Sequence, residues 1–287
     1  MFPSPIVHHP FSFDVGPLSL TGFGLAVLLA FLIAQIVSER ELARRKRDVE
    51  AAAVSDVLFG ALVGTLIGGK IYYYAIVTHN PRDLLSRSGF VFWGGFIGSV
   101  ILCTLVIRYK KLVFARFADV AGIAIAAGYA VGRTGCWAVG DDYGKPYTGP
   151  LAVAFPQGAP PSTAAEMQHA FNVSLPPGTD PASVLSVYPT QLLEVALGMV
   201  MFGILWKIRD HDHAEGWLFG VWCILAGIER FIVEFFRAKD DRFSFLGGLS
   251  TAQVIAIAIA LTGVAIMAAR RVPGPDRPSV RSLGAAT

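Results

Sequence analysis

Charge is scarce in this chain. Only 16% of its 287 residues are charged and 54% are hydrophobic, whereas a soluble domain carries about 25% charge. With a mean hydropathy of +0.55, this excludes an ordinary soluble domain and leaves a membrane protein. Cysteine is scarce too. Cys103, Cys136 and Cys223 form no CxxC and no Cys/His zinc spacing, and Cys103 and Cys223, inside apolar runs, read as small buried hydrophobes. His8, His9, His79, His169, His211 and His213 are not spaced as a ligand set, so no metal and no cofactor is expected. The segment Met1–Pro17 lacks a basic region and contains His8, His9 and Asp14, so no secretory signal peptide is expected. The two halves share no internal repeat, which argues against a transporter.

What is present is apolar length. Seven stretches, at 18–37, 54–77, 90–107, 118–138, 189–208, 216–236 and 250–269, approach the roughly 20 residues that a membrane helix needs. The expected fold is therefore all-α, with seven transmembrane helices. The second stretch carries Gly60, Gly64 and Gly68, a spacing that lets helices pack closely. Lys and Arg are unevenly shared between the connections. Fifteen lie in 38–53, 108–117, 207–215 and the tail, against six in the alternate connections. The bias places the N-terminus outside and the tail in the cytoplasm. Residues 1–17 then form an extracytoplasmic segment, 18–138 the first four helices, 139–188 a small extracytoplasmic head, 189–269 the last three helices, and 270–287 a cytoplasmic tail expected to be disordered. The head is the one long connection, rich in proline and glycine, and a loop of that length is usually functional. A short helix is expected within it at 162–171.

The stretch from Gly132 to Pro146 organises the chain. It leaves the fourth helix with Arg133 still at membrane depth and continues through Gly135, Cys136, Gly140, Asp141, Asp142, Tyr143 and Gly144. A guanidinium at that depth is costly without an anion, so it points to function. The other charges at membrane depth are Asp56, Lys70, Asp119, Glu194, Glu229, Arg230 and Glu234, with Arg237 at the edge. Arg230, Glu234 and Arg237, spaced i, i+4 and i+7, are expected on one helix face. Pro189 suits a helix start and puts Gln191 and Glu194 in the first turns of the fifth helix. Asp56 and Asp119, near the other membrane face, read as snorkelling or capping residues. Ser250 and Gln253 read as a capping box.

The segments Trp93-Gly94-Gly95-Phe96-Ile97-Gly98, Gly132-Arg133-Thr134-Gly135, Tyr188-Pro189-Thr190-Gln191-Leu192-Leu193-Glu194 and Arg230-Phe231-Ile232-Val233-Glu234-Phe235-Phe236-Arg237, in that order, resemble the prolipoprotein diacylglyceryl transferase family from about Pro17 to Arg270. The resemblance implies a multi-pass enzyme of the bacterial inner membrane. It implies transfer of diacylglyceryl from phosphatidylglycerol to the lipobox cysteine of a preprolipoprotein, with a thioether formed and glycerol phosphate released. The implied partners are phosphatidylglycerol and the signal peptides of preprolipoproteins, with no nucleic acid.

The resemblance assigns phosphate binding to Arg133 and Arg230, which are expected to form one site. Gly132, Gly135, Tyr143, Gly144, Trp93, Gly94, Gly95, Gln191, Glu194, Glu234 and Arg237 are expected around the substrate. The chain departs from the family pattern at Phe23, Trp93, Cys136, Trp137, Val139, Asp141 and Tyr188. Trp93 stands where some members carry a histidine, and an indole N–H cannot accept a proton. The pair Asp141 and Asp142 is expected to take the thiol proton in its place, with Glu234 occupied by Arg230. Two other readings stay open: a non-catalytic phospholipid-binding paralog, and a related transferase using another phospholipid or acceptor.

Overall fold

The computed structural model describes residues 6–15, 18–84, 89, 91–238, 242–243 and 248–273; the expected disorder of the tail concerns residues almost wholly outside these. The N-terminal segment contributes β1 (Ile6–Val7), β2 (Ser12–Val15) and β3 (Leu18–Thr21). It leads into α1 (Gly22–Arg44), whose first turn is capped by the Thr21 hydroxyl. Then follow α2 (Asp48–Ala52), α3 (Val54–Tyr72) with a π-helical turn at Tyr73–Thr78, α4 (Phe92–Tyr109) and α5 (Phe114–Val139). The connection to the next long helix carries β4 (Val153–Ala154), α6 (Ala164–His169) and β5 (Ser186–Val187), and the chain continues with α7 (Thr190–Ile208) and α8 (Trp217–Val233). It ends with β6 (Arg242–Phe243), β7 (Leu249–Ser250) and α9 (Thr251–Ala269), which starts on the expected Ser250–Gln253 capping box.

Among the described residues, six helices are long and apolar enough to cross a membrane: α1, residues 48–78, α4, α5, α7 and α9. The seventh expected segment, 216–236, becomes the 17-residue α8, which stops at Val233. Its last turn tightens, with the amides of Phe235 and Phe236 donating to Ile232 and Val233. Arg237 is thus off the helix, in a β-bridge with Gly144, and the helical spacing expected to join it to Arg230 and Glu234 is corrected. The reason is local pairing: Lys145 N–H donates to the Phe236 carbonyl at 2.8 Å and pulls the chain out of the helix.

The central helix is α5. Some 56% of its apolar window is buried, against 17–28% for the other candidate spans. Its alanines and glycines admit close neighbours: a Cβ at Gly135 would lie 2.7 Å from that of Ala26 on α1. It packs against α1, α7 and α8, with α9 behind α8 and the α3–α4 pair to one side. Within that pair, Cβ atoms at Gly64 and Gly68 would fall on the carbonyl oxygens of Gly98 and Gly94. The glycine spacing in α3, and Gly94 itself, therefore serve backbone contact between helices.

At the opposite end of α5 from Arg133, Asp119 is fully buried and accepts the amides of Gly216 (2.7 Å) and Phe219 (2.9 Å), capping α8 from another helix. Asp56 pairs with Lys110 at 2.6 Å. The connection 140–188 folds around Tyr143, Val153, Phe155, Met167 and Val187, and β4 joins β1 and β5 in a three-stranded sheet.

Candidate active site

The site begins where α5 ends. Gly140 adopts a left-handed φ of +69° and caps the helix with its amide on Cys136 and Trp137, the conformation in which glycine costs least. Asp142 is left-handed as well, at φ +54°, a strained choice for any residue with a side chain, though aspartate tolerates it better than most. The first turn of α7 holds it there. Thr190 Oγ1 donates to the Asp142 carbonyl at 2.7 Å, and Gln191 Nε2 to the Asp141 carbonyl at 2.6 Å. Both Thr190 and Gln191 are buried. The double reversal turns the Asp142 carboxylate back over the end of α5.

There it meets two guanidiniums. Arg133 Nη1 lies 2.7 Å from Asp142 Oδ2, and Arg237 Nη2 lies 2.6 Å from Asp142 Oδ1. Below them Glu194 Oε1 is 2.9 Å from Arg133 Nη2 and 3.6 Å from Arg237 Nη1. The four groups close a ring of alternating charge, Arg133–Asp142–Arg237–Glu194, drawn from α5, its C-terminal turn, α7 and the residues after α8. Glu194 is fully buried, and neither of its oxygens has an aligned hydrogen bond. The arginine side chains keep 17–18% of their surface exposed and Asp142 keeps 39%, so the ring opens on its Asp142 side.

Burial alone would raise the Asp142 carboxyl, but the charges of Arg237 and Arg133 outweigh it and hold the group at about 2. Its neighbour behaves in the opposite way. Burial, and then the charge of Asp142, push Asp141 above the usual carboxylate range, and Asp141 Oδ1 is buried with no hydrogen-bond partner.

Arg230 is not part of the ring. Its Nη2 pairs with Glu234 Oε2 at 2.6 Å. The two residues are joined as expected from their spacing, and Arg230 keeps 31% exposure while Glu234 is buried. The Tyr129 hydroxyl donates to Glu229 at 2.9 Å, and Arg133, Arg230 and Arg237 all lie within electrostatic reach of Glu229. The guanidinium of Arg133 also sits 5.4 Å from the Tyr129 ring centroid. Tyr129 went unnoticed in the sequence, although its place four residues before Arg133 puts it on the same helix face.

Other expected site residues lie elsewhere. Tyr143 is 2% exposed, stacks on Phe155, and donates towards the carbonyls of Pro160 and Pro161 at 2.9 Å. Gly144 brings the connection against the start of α7 and the residues after α8; a Cβ there would strike the Phe236 carbonyl, Tyr188 and Thr190. Gly132 has open space beside it, with Ala30 Cβ at 4.0 Å from a notional Cβ. Gly95 is buried in the first turn of α4. Trp93, on the same helix, is 44% exposed and makes its ring contacts with Phe92 and Phe96.

Among the described residues, Cys136, Asp141 and Asp142 place a thiol and two carboxylate oxygens within 4.8 Å of one another. Arg133 Nη1 lies 3.4 Å from Cys136 Sγ and both Asp142 oxygens already face arginines, so a metal cation would meet positive charge. The arrangement suits an anion better. Two guanidiniums, prepositioned by carboxylates that an incoming phosphate can partly replace, present planar donor forks to a tetrahedral anion.

A model of the family described as prolipoprotein diacylglyceryl transferase matches residues 10–269. A protein named phosphatidylglycerol–prolipoprotein diacylglyceryl transferase from Xanthomonas oryzae pv. oryzae is 32% identical over 276 residues, 92% of each chain. Proteins with the same name from Geobacter sulfurreducens and Stenotrophomonas maltophilia are each 29% identical. They cover 93% and 92% of this chain, and 97% and 92% of their own.

Proposed function

The chain belongs to the prolipoprotein diacylglyceryl transferase family, and we propose that it transfers diacylglyceryl from phosphatidylglycerol to the cysteine thiol of a preprolipoprotein. The sulfur attacks the glyceryl carbon that carries the phosphate ester. A carbon–sulfur bond forms, the carbon–oxygen bond breaks, and the electron pair leaves on glycerol phosphate. The thiol proton must be taken by a base.

The observation that carries this reading is the ring in which Arg133 and Arg237 share Asp142 and Glu194. A leaving phosphate gains negative charge as its ester bond breaks. Fixed guanidiniums favour that state over the substrate, which is the requirement for catalysis. Arg133 binds the phosphate with one face of its fork and keeps Glu194 on the other. Arg230, with one carboxylate partner and more exposure, supplies a second contact to the same phospholipid. Asp142 keeps Arg133 and Arg237 aligned and stays ionised. Asp141, raised in pKa, takes the thiol proton. Trp93, Gly94 and Gly95 serve the packing of α4 in this reading, and Thr190 and Gln191 hold the backbone of Asp142 and Asp141 in place.

In the membrane, α8 acts as the seventh span, lengthened by the turn at 234–236. The surplus of Lys and Arg in 38–53, 108–117, 207–215 and the tail supports an orientation with the N-terminus and the connection 140–188 outside and the C-terminus in the cytoplasm. The arginine ring then faces the outer leaflet, where an exported preprolipoprotein presents its lipobox. Complementation tests this function: expression of the chain should rescue growth of a bacterium depleted of its diacylglyceryl transferase, and the Arg133→Ala variant, made to the same level, should not. Absence of rescue by the unaltered chain would reject the reading.

A further inference from the structure

Tyr129 and Glu229 stand beside the arginine ring without belonging to it. The Tyr129 hydroxyl donates to Glu229 Oε1 at 2.9 Å, so the pair joins α5 to α8. Glu229 is buried and directly precedes Arg230. Tyr129 lies one helical turn before Arg133, whose guanidinium carbon is 5.4 Å from the centre of the tyrosine ring, within the range of a cation–π contact. Gly198 on α7 makes room for that ring, since a Cβ there would come within 3.1 Å of Tyr129 Cδ1. Gly198 follows Glu194 by one turn, so the helix face that carries a partner of Arg133 also seats Tyr129.

A packing role alone does not account for the pair. Joining two helices through a buried carboxylate costs more than joining them through apolar side chains of similar volume. Glu229 also lies within electrostatic reach of Arg133, Arg230 and Arg237, yet among the described residues it pairs directly with none of them. The Tyr129 hydroxyl holds it instead. We propose that Tyr129, anchored by Glu229, is a positioning residue for the transfer. It fixes the Arg133 guanidinium and sets its separation from Arg230.

The inference rests on the transfer reading above. When a phosphate arrives, Arg133 gives up part of its contact with Asp142. An aromatic ring on the guanidinium brings no charge that competes with the phosphate, so it keeps its place through that exchange. The link from the same ring to α8 fixes how far Arg133, on α5, stands from Arg230, on α8. That distance decides whether both guanidiniums reach one phospholipid, and a displacement of about 1 Å can cost about 100-fold in rate.

The test is steady-state kinetics of the full-length protein in phosphatidylglycerol vesicles with a lipobox peptide, with the melting temperature of each variant measured alongside. Tyr129→Phe keeps the ring and cuts the link. It should lower kcat by about tenfold and change KM for phosphatidylglycerol by less than about twofold. Glu229→Leu should do the same, and the double variant should be no slower than either single one, because each removes the same interaction. Glu229→Gln still offers the hydroxyl an acceptor and should recover most of the loss. Should Glu229→Leu fail to fold, Tyr129→Phe compared with Glu229→Gln still decides the matter. A role in helix packing alone would lower the melting temperature and leave kcat of the folded protein unchanged. An unchanged kcat in Tyr129→Phe, additive losses in the double variant, or Glu229→Gln as slow as Tyr129→Phe would each overturn the proposal. An unaltered chain that transfers nothing would reject the transfer reading itself, and the inference with it.

Discussion

Asp142 gives one oxygen to each of two arginines, Oδ2 to Arg133 at 2.7 Å and Oδ1 to Arg237 at 2.6 Å. The two arginines are 104 positions apart in sequence, and the aspartate that joins them sits in a left-handed turn. The site is therefore an assembled object, held by the end of α5, the start of α7 and the residues that follow α8.

The first prediction concerns the fork. Arg133→Ala should lower transfer by about 100-fold or more, the usual cost of losing a donor aimed at developing charge. Arg133→Lys should not restore it, because an ammonium cannot face Glu194, Asp142 and a phosphate at once. Initial rates with phosphatidylglycerol in vesicles check this, and a Lys variant near the unaltered rate would count against a bidentate role.

The second concerns Asp142. Its carboxyl is held at about 2, below the ordinary 3.8. Its contribution to stability is therefore complete above the ordinary value and is lost as the pH falls towards about 2. Asp142→Asn should lower the melting temperature at neutral pH, and the gap to the unaltered protein should close across that acid window. A gap independent of pH would mean that the ion pairs are not its source.

The third concerns Asp141. With its pKa raised by burial and by Asp142, the unaltered enzyme should lose rate on acidification as this base becomes protonated. Asp141→Asn should bind phosphatidylglycerol normally, turn over slowly at neutral pH, and recover as the pH approaches the thiol range of about 8.5. Unchanged rates at neutral pH would remove Asp141 from the proton transfer.

A fourth separates two residues that lie close to the arginine motif in sequence. Tyr143→Phe should cost about 1 kcal/mol of stability, one hydrogen-bonding hydroxyl, with transfer retained, because its oxygen faces Pro160 and Pro161. Cys136→Ser should also retain transfer, since the acceptor brings its own thiol. A lipid adduct trapped on Cys136 would reverse that judgement.

The sequence made the cost of certain residues visible more readily than their partners. Arg133, Glu194, Arg230 and Glu234 stood out because charge at membrane depth is rare. The Arg230–Glu234 pair followed from helical spacing, and the Ser250 capping box from local pattern. Arg237 was misread as helical because its departure from α8 depends on strand pairing with Gly144, a contact across more than 90 residues that no local periodicity reports. Asp142 could be noticed as one of two aspartates. That Asp142 is clamped between arginines while Asp141 Oδ1 is left without a hydrogen bond depends on a backbone turn fixed by Thr190 and Gln191. Tyr143 looked like a site residue because it is polar and near the motif, yet its ring fills the core of the connection.

Thioether formation at the expense of phosphatidylglycerol, with Arg133 on the leaving phosphate, is open to direct measurement. The direct measurement combines the purified protein in phosphatidylglycerol vesicles with a lipobox peptide. It follows peptide mass and released glycerol phosphate together. The peptide should gain one diacylglyceryl group for each glycerol phosphate released, and Arg133→Ala should yield neither while still binding the peptide. Phosphate release without peptide modification, or modification at an unaltered rate by Arg133→Ala, would contradict it.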